Sequence, residues 1–377
     1  VRESVLGVNN VPPTVEQQTA MEQLVAEAMD QGARGVSTGF FFPPGCYASK
    51  EEVIGLAGVA ARRGGVYASH IRSYDDGLLA AVAEAIEIGY RTGVQVEIAH
   101  IKLSGYQNWD AVDRLLVMLD EAESCGVRVG CDQYPYAVSA MPLAAVLPGW
   151  AKVGGAKAIG ERLSDAAERG RLKLDWDENR AAWQKRGGVR RLGDVRVARC
   201  ASRRDVVGKS IGAIGDAEHK DPLDVVFDLI LISAGQAVGV FQDQREENVR
   251  ALLRHPSVVV GSDGSALAPH GVLGQHKRNP RAYGTFPRVL GRYVRTDNVL
   301  SLESAVRKMT SLTAQRFGLA DRGVIRTGAW ADLVVFDAES ITDRATFTDP
   351  RQYLSLIHIS EPTRLDARSR MPSSAGK

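Results

Sequence analysis

His70 and His100 stand thirty residues apart, each after a short β-branched run: Tyr67-Ala-Ser-His-Ile-Arg72 and Val96-Glu-Ile-Ala-His-Ile-Lys102. Neutral imidazole is a good ligand for zinc. One such histidine would read as a structural residue. Two at matched positions of consecutive units read as a pair of metal ligands. Asp263 closes a third strand-like run, Ser257-Val-Val-Val-Gly-Ser-Asp263. A carboxylate beside a metal-activated water can take its proton and pass it to a leaving group. The alternative for Asp263 is an Asx turn or helix cap in Ser-Asp-Gly.

Arg72 and Lys102 each follow a histidine by two residues, so a continuing strand aims them the same way as the imidazoles. Cations so placed would hold a substrate carboxylate; solvated rim charges are the other reading. Asp132-Gln-Tyr-Pro-Tyr136 ends another run and offers the hydroxyls of Tyr134 and Tyr136, with aromatic packing as the alternative. Tyr283 lies in Arg281–Arg288, a segment able to wall the site. His270 and His276 read as surface histidines. Neither Gly35–Gly39 nor Gly261–Gly264 has the spacing and lysine of a phosphate loop.

These side chains need a scaffold that brings strand ends together. Thr14-Val-Glu-Gln17 and Ser49-Lys-Glu-Glu52 are capping boxes opening amphipathic helices. Gly-Val pairs at 35, 65, 93 and 126 mark a period of about 30 residues, the length of one βα unit. Repeated units of this kind imply an α/β fold, a doubly wound sheet or a (β/α)8 barrel. Chemistry at successive strand ends favours the barrel. Residues 1–318 are assigned to it, with a loop insertion at about 140–254 shaping the mouth of the site. A helix is expected from Ser301 to about Phe317. Ile325–Asp337 reads as a turn and strand of a small β module over 319–353. The run from Leu354 continues no pattern and reads as a foreign or disordered tail to Lys377.

The 377 residues carry 47 Lys+Arg against 45 Asp+Glu, a balance that favours neither nucleic acid nor an anionic membrane as partner. No apolar stretch is long enough to span a bilayer, and no signal-peptide pattern opens the chain. Cys46, Cys125, Cys131 and Cys200 lack zinc-knuckle spacing and read as buried free thiols, as expected of a cytoplasmic enzyme. Val1 opens the chain in mid-pattern, which reads as the interior of a longer protein.

Together these stretches resemble the D-aminoacylase (N-acyl-D-amino-acid deacylase) family of the amidohydrolase superfamily. The resemblance is carried by Gly35-Val-Ser-Thr-Gly39 with Pro43-Pro-Gly45, Ser69-His-Ile-Arg72, Ala99-His-Ile-Lys102, and Asp132–Tyr136. Gly261-Ser-Asp-Gly264, Pro280–Leu290 and Gly328–Asp337 complete it. It implies a TIM-type barrel that cleaves N-acyl-D-amino acids to a carboxylate and a D-amino acid with one or two zinc ions. In that reading His70 and His100 bind metal on the fifth and sixth barrel strands, and Asp263 is the catalytic acid–base on the eighth. Lys102 and a tyrosine of Asp132–Tyr136 contact the substrate carboxylate, with Arg72 and Tyr283 as further candidates. The family's upstream His-x-His pair and ligating cysteine have no counterpart, so the first three strands are expected to be missing. Phe42 and Asn279 stand where tyrosine and histidine are frequent.

Three other readings compete. A dihydroorotase- or hydantoinase-like enzyme would open cyclic amides, but such enzymes carry a bridging lysine at the fourth strand, where Val36-Ser-Thr-Gly39 has none. A metal-free barrel with a binding role would leave both histidines structural. An inactive fragment would follow if the lost strands left open parallel edges.

Overall fold

Thr14 opens the first long helix, α1 (Val15–Asp30), with both halves of its capping box formed: its hydroxyl accepts the Gln17 N–H at 3.2 Å, and Gln17 accepts the Thr14 N–H at 2.9 Å. Only half of the second box forms. Ser49 caps α2 (Lys50–Arg62) through the Glu52 N–H, while the Glu52 carboxylate turns inward to a buried ion pair with Arg2. The computed structural model describes residues 1–41, 43–180, 191–265, 267–268, 270–271, 279–347 and 349–353.

Strands β1 (Gly35–Gly39), β2 (Val66–His70), β3 (Gln95–Ile98) and β4 (Val129–Gln133) alternate with α2, α3 (Leu78–Thr92) and α4 (Val112–Ser124). They form one parallel sheet with the later strand β8 (Val258–Val260), in the order β1-β2-β3-β4-β8. Strand order follows chain order with no reversal. That is the arrangement of a barrel, whereas a doubly wound sheet reverses at a switch point. Tyr67, Val96, Ile98 and Val258 bury themselves with Val82, Ile88, Leu115 and Leu119 from the helices.

Three strands are tied together by one cation. Arg316 meets buried Glu97 of β3 at 3.0 Å and donates to the carbonyl oxygens of Cys131 and Ser257 at 3.4 and 2.6 Å. Gly130 makes room for it, since a Cβ there would fall 2.4 Å from the guanidinium.

The segment expected as a loop insertion folds into elements of its own. β5 (Ser139–Pro142), β7 (Val238–Phe241) and β6 (Arg196–Arg199) form an antiparallel sheet in the order β5-β7-β6. The helix Pro222–Ile232, capped by Asp221, supplies Val226, Phe227 and Ile230 to a separate core with Leu143, Leu147 and Val197.

Other expectations change. The helix over 301–317 is two, Leu302–Met309 and Ser311–Arg316, broken at Thr310 (φ −133°, ψ −92°). No strand forms over 325–337: Ile325 and Val335 are 87% and 73% exposed, and no described segment lies alongside to pair with them. A strand without a ladder partner gains nothing to fix it. Cys131 and Cys200 are buried, but Cys125 is exposed at the end of α4. No described helix is long and apolar enough to cross a membrane. Phe42, His276 and the tail from Leu354 lie outside the described residues.

Candidate active site

The two histidines meet. His70 is the last residue of β2, and its Nδ1 lies 3.0 Å from Nε2 of His100. His100 stands two residues past β3 in the left-handed region, φ 37°. Tyr74 wedges edge-on against the His70 ring and hydrogen-bonds to the Ala99 carbonyl at 2.9 Å. Burial, and then the nearby Lys102 ammonium, lower His70 to about 4 and His100 to about 2. Both imidazoles are therefore neutral near pH 7, the state in which a ring nitrogen has a lone pair to give.

Asp263 does not end its strand: it stands three residues past Val260, also left-handed at φ 43°. Its Oδ2 lies 2.6 Å from Arg281 Nη2, and Arg281 Nε donates to its backbone oxygen at 3.1 Å. His70, His100, Lys102 and Asp263 line one cavity of about 270 Å³, with Tyr134 and Asp243 beside them. Met141 and Pro142 bring a wall from the inserted sheet.

Lys102 and Arg72 part company because neither strand runs on past its histidine. Lys102 folds back, Nζ 2.7 Å from His100 Nδ1 and over the Tyr74 ring at 3.7 Å. Burial lowers it to about 7 against the opposing pull of Asp243 and Asp263. Arg72 lines the same cavity, but its guanidinium is engaged by Glu84 at 2.7 Å and by the carbonyls of Cys46 and Ala48.

The tyrosines divide as well. Tyr134 faces the cavity, with Gln244 Nε2 3.0 Å from its hydroxyl and Arg281 over its ring at 4.5 Å. Tyr136 points elsewhere, stacked under Arg288 at 4.6 Å and bonded to Asp343. Tyr283 packs against Tyr353, away from the cavity lining. The Pro135 between the two phenols turns the chain, so the alternation that would have put both at the mouth is lost. His270 is exposed.

The amidohydrolase family profile matches residues 16–359. The chain belongs to the amidohydrolase family. Among relatives it is 35% identical to the N-acyl-D-glutamate deacylase of Alcaligenes xylosoxydans xylosoxydans, over 90% of this chain and 58% of that protein. It is 32% identical to the D-aminoacylase of the same organism, over 92% and 60%. A crystal structure of N-acyl-D-glutamate deacylase from Bordetella bronchiseptica, complexed with zinc and a phosphonate mimic of the tetrahedral intermediate, superposes with a TM-score of 0.72. It shares 33% identity over 92% of this chain and 62% of that one. The chain thus spans less than two thirds of these relatives.

In this amidohydrolase scaffold His70 and His100 are the side chains placed to hold a metal ion together. Two nitrogens bound tetrahedrally to one zinc at about 2.0–2.1 Å lie about 3.3 Å apart. The 3.0 Å approach of His70 and His100 fits such a shared ion. Among the described residues, no group of three or more His, Cys, Asp or Glu completes a metal site. Sequence reasoning passed over Arg281, Tyr74, Ser139 and Asp243 as site residues. Only Arg281 left a signal, in its conspicuous Gly/Pro-bounded segment. The other three reach the cavity from separate elements that nothing in their local sequence connects. Asn279 is buried, its Oδ1 accepting the Arg281 N–H at 3.1 Å, so it shapes the turn that delivers Arg281.

Proposed function

We propose that the protein hydrolyses the amide of N-acyl-D-amino acids to a carboxylate and a free D-amino acid, using zinc held in part by His70 and His100. The observation that carries this reading is the 3.0 Å approach of His70 Nδ1 and His100 Nε2 in the cavity shared with Asp263 and Lys102. Bound there, zinc supplies an activated water and polarises the acyl carbonyl. Arg281 engages Asp263 Oδ2, leaving Oδ1 as the oxygen that takes a proton and returns it to the departing nitrogen. An amide nitrogen leaves poorly without that proton. Lys102 and the Tyr134 hydroxyl bind the α-carboxylate at the cavity floor, where burial strengthens the contact. Ser139, Met141 and Pro142 of the inserted sheet line one side of the cavity beside the reacting bond. Four unpaired cysteines, Cys125 among them exposed, suit a reducing cytoplasmic setting.

The test pairs metal analysis with turnover. The purified protein is expected to retain stoichiometric zinc, to lose it in His70→Ala, and to release amino acid from N-acetyl-D- but not N-acetyl-L-glutamate. Zinc content indifferent to His70→Ala would sink the proposal.

A further inference from the structure

A residue with a side chain is disfavoured in the left-handed region and persists there only where its surroundings fix it. For His100, Asp132 holds the amide side of the turn, while Lys102 Nζ donates to the His100 carbonyl at 3.0 Å. The Asp132 Oδ1 accepts the His100 N–H at 3.0 Å, and the Asp132 carbonyl accepts the Ile101 N–H at 2.8 Å. The β3–β4 ladder has already ended at Ile98 and Cys131, so both bonds lie beyond the sheet pairing. The same carboxylate occupies the space above Gly261, the first residue after β8. A Cβ there would fall 2.6 Å from Oδ1, and the Gly261 N–H is itself held by the Gln133 carbonyl at 3.0 Å. Two residues further along stands Asp263.

We infer that Asp132 is a positioning residue that locks the His100 backbone in its left-handed turn and seats the Gly261–Asp263 segment against it. The ligand nitrogen and the proton-carrying carboxylate thereby keep one relative geometry. The inference rests on the metal reading proposed above. What the position requires is an acceptor oxygen of the right reach, so asparagine serves and alanine does not.

The test compares wild type, Asp132→Asn and Asp132→Ala by Co2+ titration, following the d–d absorption, and by the His100 amide 15N and Cα shifts without metal. Asp132→Asn is expected to keep Co2+ affinity within about threefold and to preserve the His100 shifts. Loss of an outer partner typically weakens metal binding about 10- to 100-fold, which is the loss expected for Asp132→Ala, with a displaced d–d band and moved His100 shifts. Should Asp132→Ala fail to fold, Gly261→Ala presses a methyl against the same oxygen and is expected to act in the same direction. Unchanged His100 shifts and Co2+ affinity in Asp132→Ala would overturn the inference, as would an Asp132→Asn no better than Asp132→Ala. Wild type that takes up no Co2+ would refute the metal reading, while the shifts still judge the positioning role.

Discussion

Arg281 grips Asp263 at two points, its Nη2 2.6 Å from the carboxylate Oδ2 and its Nε 3.1 Å from the backbone oxygen. Side chain and main chain of the proposed proton carrier are thus aimed by one guanidinium from a different element. Asp263→Asn keeps the shape and removes the base. Turnover of N-acetyl-D-glutamate is expected to fall about 10²- to 10⁴-fold with KM nearly unchanged. Near-native turnover in Asp263→Asn would remove this residue from the chemistry.

Lys102 is expected to discriminate by charge. A hydrogen bond to a charged group contributes about 1.5–3 kcal/mol. Lys102→Ala should therefore lower kcat/KM for an N-acyl-D-amino acid about 10- to 100-fold and spare the matching uncharged amide. An equal loss with both substrates would show that Lys102 does not read the carboxylate.

Arg72 is expected to matter for stability alone. Its guanidinium bonds Glu84 and the carbonyls of Cys46 and Ala48. Arg72→Met is expected to destabilise by about 1–3 kcal/mol in urea denaturation and to leave KM within twofold. A large rise in KM with unchanged stability would restore Arg72 to the substrate site.

Breaking the Glu97–Arg316 pair strands a buried carboxylate. Arg316→Met is expected to cost about 3–5 kcal/mol, while Glu97→Leu with Arg316→Met recovers much of it. Comparable stability of the single and double variants in urea would mean that the pair contributes through shape rather than charge.

Lys308 is buried, donating to the carbonyls of His255 and Val258, and burial lowers it from 10.5 to about 8. Between those two values the unfolded chain binds the extra proton, so stability rises with pH there. The contribution is fully present above 10.5 and lost as pH falls through about 8. Wild type should therefore gain on Lys308→Met between pH 8 and 10 in denaturant midpoints. A pH-independent difference would show that the buried amine does not titrate in this window.

Local sequence was enough for the repeating scaffold. A 30-residue period, Gly-Val strand starts and capping residues such as Thr14 act over a few neighbours, and the parallel sheet follows from them. His70 was legible because it truly ends a strand, where side-chain direction follows from alternation. That rule fails one step later. The ladder stops at His70 on one strand and before His100 on the next, so the direction of Arg72, Lys102, Tyr136 and Tyr283 is set by their contacts with Glu84, His100, Asp343 and Tyr353 and not by alternation.

The sequence by itself determined the repeating strand–helix units of the parallel sheet and which residue types stand near the strand ends. Tertiary structure alone decided which of those residues share a cavity, that Asp132 and Arg281 hold two left-handed backbones in place, and that the inserted segment has its own core. The physical reason is range. Helix caps and strand periodicity are local, whereas ion pairs and buried hydrogen bonds form between groups brought together only when the chain has folded.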